Sequence, residues 1–493
     1  MNTFSINTLG CKVNQYESQQ IRELLERFGL RMTELSEKPD LVVVNTCCVT
    51  HTASSKSRQY IRRTQKLSPD AVVVVCGCLP TVQIGESTDK TKNIHFIKKH
   101  DDLAETLSRI VNGPHIFPSK DRSNGALDST ASAVSGHTNR LSGQGPNNSI
   151  KSENHSKIKH KKELCNYPQV QPLTSFKGQT RAFLKVQDGC DGYCTYCIVP
   201  KTRPFVRSRP IDEILKEAQA LVKAGHKEIV ITGINLGAYG QKSVRRKQWP
   251  NQQNSKLADL LDRIARITNL VRIRLSSLEP GDVTQQLLDT FCKHRNIMPH
   301  LHLSLQSGSD AVLKKMCRQY KIDHVREKVE MIKSRLDRPA ITTDIIVGFP
   351  GETDKDFEQT VIISKEIGFA KMHVFRFSSR KGTAAAKMQD NVGNQVIKIR
   401  SEILRDLDVE LGRKYRQQFL GQNTEILLES DNGLLSGRCE RYFMVNVSDS
   451  AKYENHNDIS NSKFQLKNNE LVKVRLVKNN NTSMTGCIIS EDN

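Results

Sequence analysis

The chain of 493 residues has no apolar run near the roughly 20 residues that span a bilayer. Its longest, Ala71-Val-Val-Val-Val-Cys76, is the length of one strand. Mean hydropathy is −0.51, so a membrane protein is not expected. The first residues, Met1-Asn-Thr-Phe4 onward, lack a basic n-region and an apolar h-region, so no secretory signal is read and the expected compartment is the cytosol. Tryptophan is almost missing. The single one, Trp249, falls in a polar stretch, Gln241 to Asn254, that reads as a surface insertion. Negative charge is also short: 53 acidic residues face 74 lysines and arginines, a formal charge of +21. Such an excess points to a polyanionic partner, nucleic acid first.

Cysteine, by contrast, is abundant, with 13 in the chain. Thiols stay reduced in the cytosol, so a disulfide framework is not expected and metal ligation is the default reading.

Three regions of regular pattern follow one another. The first alternates strand and helix. Phe4–Thr8, Leu41–Asn45 and Ala71–Val75 read as strands, and the continuous valines fit a parallel sheet covered on both faces. Ile21, Leu24, Leu25 and Phe28 recur at helical spacing before Gly29, and Thr52–Lys66 reads as a basic helix. The segment Ser119–Lys162 is rich in Asn, Ser, Gly, Lys and His, poor in aromatics and basic in balance, and reads as a disordered linker. From Arg181 the alternation resumes. Strands are expected at Ala182–Val186, Glu228–Thr232, Val271–Leu275, His300–Leu305, Thr342–Val347 and Met372–Phe377, with helices between them. Six β/α repeats predict a parallel, partly closed barrel, since full closure takes eight. After a charged helix at Val396–Phe419, short strands at Glu425–Leu428, Phe443–Val447, Leu471–Val477 and Met484–Ile489 read as a small all-β barrel of nearly balanced charge.

The sharpest motif is Gly189-Cys190-Asp-Gly-Tyr-Cys194-Thr-Tyr-Cys197, a C-x3-C-x2-C run directly after the first strand of the six-repeat region. Three thiolates on one loop suit three corners of a [4Fe–4S] cube and leave the fourth iron open to an outside ligand. A structural zinc site wants four closed ligands, and no second C-x2-C or His pair stands nearby. A second set is dispersed: Cys11, Cys47 and Cys78 each follow one strand of the first region. Parallel strands deliver such residues to one sheet edge, so the three could share a metal site or be three buried apolar cysteines. Cys48 and Cys76 compete for the same role.

The C-x3-C-x2-C loop resembles that of the radical S-adenosylmethionine (SAM) superfamily. The resemblance implies that the open iron is chelated by the amino and carboxylate groups of SAM, which the reduced cluster cleaves to methionine and a 5′-deoxyadenosyl radical. It also implies SAM contacts at strand ends: Gly233 and Asn235, Ser277 and Glu279, Gln306, and Gly348 and Pro350. Outside the linker, the chain resembles the methylthiotransferase family through Leu9-Gly-Cys11, Asn45-Thr-Cys47 and Gly77-Cys78. That implies a second [4Fe–4S] cluster on Cys11, Cys47 and Cys78, and a C-terminal TRAM barrel. Ser436-Gly-Arg-Cys-Glu-Arg-Tyr442 resembles the start of a nucleic-acid-facing TRAM strand. Leu79-Pro80 departs from the residues usual after the third cysteine.

The implied fold is α/β throughout its first two parts. An N-terminal parallel-sheet cluster-binding domain (1–113) precedes a basic linker (114–178), a partial (β/α)6 radical-SAM barrel (179–411) and an all-β TRAM barrel (412–491). Within the family, Gly10-Cys-Lys-Val-Asn-Gln-Tyr-Glu-Ser18 resembles the subgroup that methylthiolates C2 of N6-threonylcarbamoyladenosine at position 37 of tRNA, with N6-isopentenyladenosine-37 or an aspartate of a ribosomal protein as the alternative targets. The implied partners are the tRNA anticodon stem-loop, rather than DNA or a membrane, and a low-potential electron donor such as a flavodoxin or ferredoxin. Lys56–Lys66 and the TRAM barrel are the expected RNA grips. Arg203, Arg207 and Arg209 are candidates to meet the substrate carboxylate, with phosphate or SAM contacts as the alternative.

Overall fold

Continuous Val runs at 41–46 and 72–77 form the middle of a five-stranded parallel sheet buried on both faces. The computed structural model describes residues 1–83, 93–98, 100–113, 171–245, 254–431, 434–448 and 468–489. The linker expected from 114 lies outside these residues up to 170, as does most of the 241–254 insertion. The chain forms two units, Met1–Leu103 with Val170–Asn493, and Ala104–Gln169. The second is described only through its part of one helix, α4.

The N-terminal strands are β1 (Thr3–Thr8), β2 (Arg31–Met32), β3 (Leu41–Thr46), β4 (Val72–Gly77) and β5 (Ile94–Phe96), in the order β2-β1-β3-β4-β5. The helices are α1 (Lys12–Arg27), α2 (His51–Leu67), a short α3 (Leu79–Gln83) and α4 (Leu103–Asn112). α1 buries Val13, Ile21, Leu24 and Leu25. α2 starts at Thr50, whose hydroxyl accepts the Ala53 amide at 3.1 Å. The strand order reverses between β1 and β3. In an open parallel sheet, that reversal opens a crevice at the C-terminal strand ends.

The second region holds β6 (Arg181–Asp188), the short antiparallel β7 (Arg207–Ser208), β8 (Glu228–Gly233), β9 (Arg272–Leu275), β10 (His300–Gln306), β11 (Ala340–Val347) and β12 (Lys371–Arg376). β6, β8 and β9 pair in parallel, as do β10, β11 and β12. The bridge Leu278–Leu303 links the two halves. The six expected strands therefore curve into a partial barrel. Around it run α5 (Val199–Thr202), α6 (Ile211–Lys223), α7 (Lys256–Ala265), α8 (Gln285–Lys293), α9 (Asp310–Lys315), α10 (Ile322–Arg335) and α11 (Asp354–Ile367). One continuous apolar core runs from Leu184 and Ile231 through Leu303 to Ile345 and Ile363. The end of the segment read as linker packs here: Leu173 and Phe176 are buried, and the Phe176 amide donates to His226 Nε2 at 3.0 Å.

α12 (Asn394–Gln417) leads to a closed barrel of β13 (Asn423–Asp431), β14 (Leu434–Cys439), β15 (Met444–Ser448), β16 (Leu471–Asn479) and β17 (Met484–Ile488). β14 is not among the strands that periodicity predicts and falls where the resemblance puts the start of a TRAM strand. Its Ser436-Gly437 pair breaks the apolar alternation, and pairing with β13 and β15 keeps it extended. The barrel docks through two buried arginines of β9. Arg272 donates to the carbonyls of Arg438 and Glu425, both at 3.0 Å, and Arg274 to those of Glu440 and Cys439 at 2.9 and 2.6 Å. The second half of Ser436–Tyr442 turns onto the larger barrel, where Tyr442 stacks on His300 with ring centroids 4.2 Å apart. Among the described residues, no helix is long and apolar enough to cross a membrane.

Two cysteine triads at the candidate active site

Cys11, Cys47 and Cys78 all sit just beyond the C-terminal ends of β1, β3 and β4, at the crevice the strand order opens. Polar side chains knit the three loops. Asn14 Nδ2 donates to the carbonyls of Leu9 and Thr46, both at 2.9 Å, and Asn45 Nδ2 donates to the Asn14 carbonyl at 2.9 Å. The Cys78 amide donates to the Thr46 carbonyl at 3.0 Å. Gly77, at φ +86°, is required here, because a Cβ would lie 2.4 Å from that same carbonyl. Cys11 is exposed at the residue before α1, yet the atoms around its thiol desolvate it and raise its pKa. Burial likewise pushes Cys47 up to about 11, and the Cys78 and Cys11 thiols add to the rise. Cys78 runs the other way, lowered by a hydrogen bond from Cys48 and by the charge of Arg203.

The competitors are placed elsewhere. Cys48 is fully buried, its thiol donating to the Cys78 carbonyl at 3.4 Å. Cys76 lies within β4, where burial drives its pKa up.

The second triad occupies the loop after β6. Gly189, at φ +74°, brings the loop so near Phe205 that a Cβ would lie 1.8 Å from its carbonyl oxygen. The Cys190 amide donates to the Arg203 carbonyl at 2.9 Å, and Thr195 is pinned to Met316 at 3.1 Å. Sulfur acceptors are served: the Gly192 amide reaches Cys190 Sγ at 3.4 Å, and Arg318 reaches Cys194 Sγ at 3.0 Å. Burial and the neighbouring thiols hold Cys190 near about 11 and Cys197 near about 12. In each set a neighbouring thiolate opposes ionisation of Cys11, Cys47, Cys190 and Cys197, a repulsion that a bound cationic metal relieves. The spacing adds a test. Four ligands of one tetrahedral ion keep their sulfurs within about 4 Å of one another. Among the described residues, the only His/Cys/Asp/Glu atoms mutually within 4.8 Å belong to His302, Asp344 and His373. The thiols of neither triad lie mutually that close, so neither is drawn together as a single-ion site.

The two triads are neighbours. Ile198, next to Cys197, packs with Cys48, Cys78 and Leu79. Arg203 holds Glu17 of α1 through both carboxylate oxygens, and Lys185 adds a third contact to Glu17 at 3.0 Å. The motif after Cys11 is thereby explained: Asn14 ties the loops, Tyr16 and Glu17 reach across to the barrel, and Ser18 receives Asn45 at 3.0 Å.

The residues expected at the SAM edge all lie at strand ends. Gln187 organises the first pair. Its Oε1 accepts the Asn235 amide at 2.8 Å, and its side chain lies against Gly233. Ser277 is exposed beyond β9. Glu279 pairs with Arg318, which also holds Cys194. Gln306 ends β10 at φ +68°. The Gly348 amide donates to Glu352 at 2.7 Å in a turn closed by buried Pro350.

The arginines departed from expectation. Arg203 is committed to Glu17 and Asp188, and Arg209 to Glu217 at 2.6 Å, so neither is spare for a substrate carboxylate. Arg207, on the surface, pairs with Asp101 at 3.1 Å. Arg318 and Arg380 were missed. Arg380 is buried and donates to Ser54 at 2.5 Å, and its charge bears on Cys47 and Cys48. Neither stands in a motif, and only the fold brings them to the cysteines.

The chain matches two known families. Residues 184–362 match the Radical SAM superfamily, and residues 3–98 match the family described as Uncharacterized protein family UPF0004. It is 34% identical over 463 residues to the threonylcarbamoyladenosine tRNA methylthiotransferase MtaB of Bacillus subtilis, covering 90% of each chain. It is 36% identical over 447 residues to the protein of that name from Chlamydia pneumoniae, again 90% of each. To the tRNA-2-methylthio-N(6)-dimethylallyladenosine synthase of Bacillus mycoides it is 32% identical, over 99% of this chain and 86% of the other.

Proposed function

Since the chain belongs to the radical-SAM methylthiotransferase family, we propose that it adds a methylthio group to C2 of N6-threonylcarbamoyladenosine at position 37 of tRNA. The observation that carries this is the pair of neighbouring cysteine triads at the strand ends of a chain alike over nine-tenths of its length to enzymes of that name. Cys190, Cys194 and Cys197 would hold the SAM-binding [4Fe–4S] cluster, and Cys11, Cys47 and Cys78 the second. When bound, these groups supply what acid–base catalysis cannot, namely reductive cleavage of SAM and a sulfur for an unactivated C–H position. Gln187 presents the β8 edge through Gly233 and Asn235, and Arg318 ties Glu279 to the cluster loop. Together they orient the cofactor beside the cysteines. Arg203 and Glu17 keep the two triads in register.

The RNA has a face to meet. Tyr193 and Phe205, 62% and 66% exposed, flank the cluster loop with Arg245 and Arg207 beside them. Exposed aromatics and guanidinium planes stack on unpaired bases. Lys56, Arg62, Arg63 and Lys66 are exposed on α2, and Lys473, Arg475 and Lys478 on β16, placed for phosphates. An anticodon-loop adenosine is unpaired, so extruding it into the crevice costs little. A flavodoxin or ferredoxin would supply the electron, and the cytoplasm is the expected setting.

A second reading, action on N6-dimethylallyladenosine, is favoured by the likeness to the synthases of that nucleoside. Anaerobically purified protein should be brown, carry roughly eight irons in two clusters, and convert threonylcarbamoyladenosine tRNA to its methylthio derivative by nucleoside mass spectrometry. Colourless, zinc-loaded protein without SAM cleavage would overturn the assignment in favour of a binding module.

A further inference from the structure

A cavity of about 280 Å³ fills the lumen of the larger barrel, from Ser276 and Ser277 at the strand ends down to Tyr442 of the docked small barrel. Its wall is unusually polar for a barrel interior. Ser276 Oγ and His300 Nδ1 are buried without a hydrogen-bond partner, and burying such atoms is costly unless a ligand or water completes them. Thr342 Oγ1 stands 3.0 Å from both His300 Nε2 and His302 Nδ1. Two arginines reach the lumen, each with its own carboxylate: Arg181 with Glu429 at 3.2 Å and Arg274 with Glu228 at 2.8 Å. Lys12, the residue after Cys11, also lines the cavity. Among the described residues it makes no ion pair or side-chain hydrogen bond. Asp344 is the one carboxylate on the wall, and its Oδ2 lies 3.2 Å from His302 Nε2.

Resting on the function proposed above, we infer that this cavity receives the N6 substituent of the target adenosine, and that Lys12 is the specificity-determining cation for its carboxylate. The chemistry of the wall matches the substituent part by part. The carboxylate takes the spare ammonium, whose position beside Cys11 puts it between the Cys11, Cys47 and Cys78 triad and the lumen. Asp344 and the imidazoles offer acceptors and donors to the ureido and hydroxyl groups. The field agrees: the charges of Lys12, Arg181, Arg274 and Arg438 lower the Tyr442 phenol against its burial. An isopentenyl group would leave the same polar wall unsatisfied. The arginines expected from sequence to meet the carboxylate are spent elsewhere, and Lys12 takes their place.

The test uses anticodon stem-loops carrying the threonylcarbamoyl group as the acid or as its carboxamide, with dimethylallyladenosine RNA as a third arm. Both kcat/KM of the reconstituted enzyme and the dissociation constant of each RNA are measured. The binding ratio does not depend on turnover. Wild type should favour acid over amide by roughly ten- to a hundred-fold, as befits one charge-assisted bond. Lys12→Gln should lose that preference by weakening on the acid alone, and Lys12→Arg should keep most of it. RNA-independent SAM cleavage and iron content report whether each variant is loaded. Lys12→Gln retaining the acid preference, in rate or in binding, would overturn the inference while leaving the functional reading intact. Wild-type turnover of the dimethylallyl RNA alone would overturn both.

Discussion

Arg203 grips both carboxylate oxygens of Glu17, at 2.8 and 2.7 Å, while its own carbonyl accepts the amide of Cys190 at 2.9 Å. One residue thus fastens the C-x3-C-x2-C loop to the helix that begins at Cys11, and its charge bears on Cys78. The pair is buried, so its net contribution to stability is modest while both partners are present, but removing one leaves the other charge stranded.

Arg203→Leu should therefore destabilise the protein by about 3–5 kcal/mol, read as a lower denaturant midpoint. Methylthio product should fall at least about tenfold further than RNA-independent SAM cleavage, because cleavage needs one triad and product needs both in register. Equal losses in the two assays would show that the pair is merely structural.

The triads have separable duties. Cys194→Ala should abolish SAM cleavage. Cys47→Ala should leave 5′-deoxyadenosine formation largely intact and abolish the methylthio product. Product from Cys47→Ala would remove that residue from the second cluster, and Cys48, one residue on, would be tried next.

Exposed β16 cations should act through phosphates. Lys473→Ala with Arg475→Ala should weaken tRNA binding and reduce the slope of log K against log salt by about two. SAM cleavage without RNA should not change. An unaltered salt slope would place the RNA on another face.

Much of this was legible in the sequence because the patterns were strong. The Val runs of β3 and β4, the six β/α repeats and the C-x3-C-x2-C spacing each carry their own period or motif. What was not legible came from pairing across the fold. β14 is extended because β13 and β15 hold it. Arg318 meets Cys194 across 124 positions, and no local pattern announces such a contact. The arginines after the cluster loop looked free because a sequence shows charges but not their partners, and Glu17 and Glu217 had already taken them. Lys12 was visible as part of a motif, but its lack of a partner was not.

Acid should weaken the fold through buried imidazoles. Burial lowers the pKa of His226 below 6.5, and likewise of His300 and His373. A depressed imidazole binds its proton more readily when unfolded. The stability is therefore complete above the unfolded value of about 6.5 and drains as pH falls below it. His226 accepts the Phe176 amide, which glutamine can also do, so His226→Gln should narrow the loss in thermal midpoint between pH 7.5 and about 5.5. A variant that loses as much as wild type over that range would show that His226 is not among the groups responsible.

The central claim is the identity of the base acted on, and a competition decides it. Equal amounts of anticodon stem-loops bearing threonylcarbamoyladenosine and dimethylallyladenosine are given together to the anaerobic, reconstituted enzyme, and the methylthio nucleosides are quantified by mass spectrometry. Their initial ratio is the ratio of the two kcat/KM values. The account predicts methylthiolation of threonylcarbamoyladenosine in large excess; product confined to dimethylallyladenosine would contradict it.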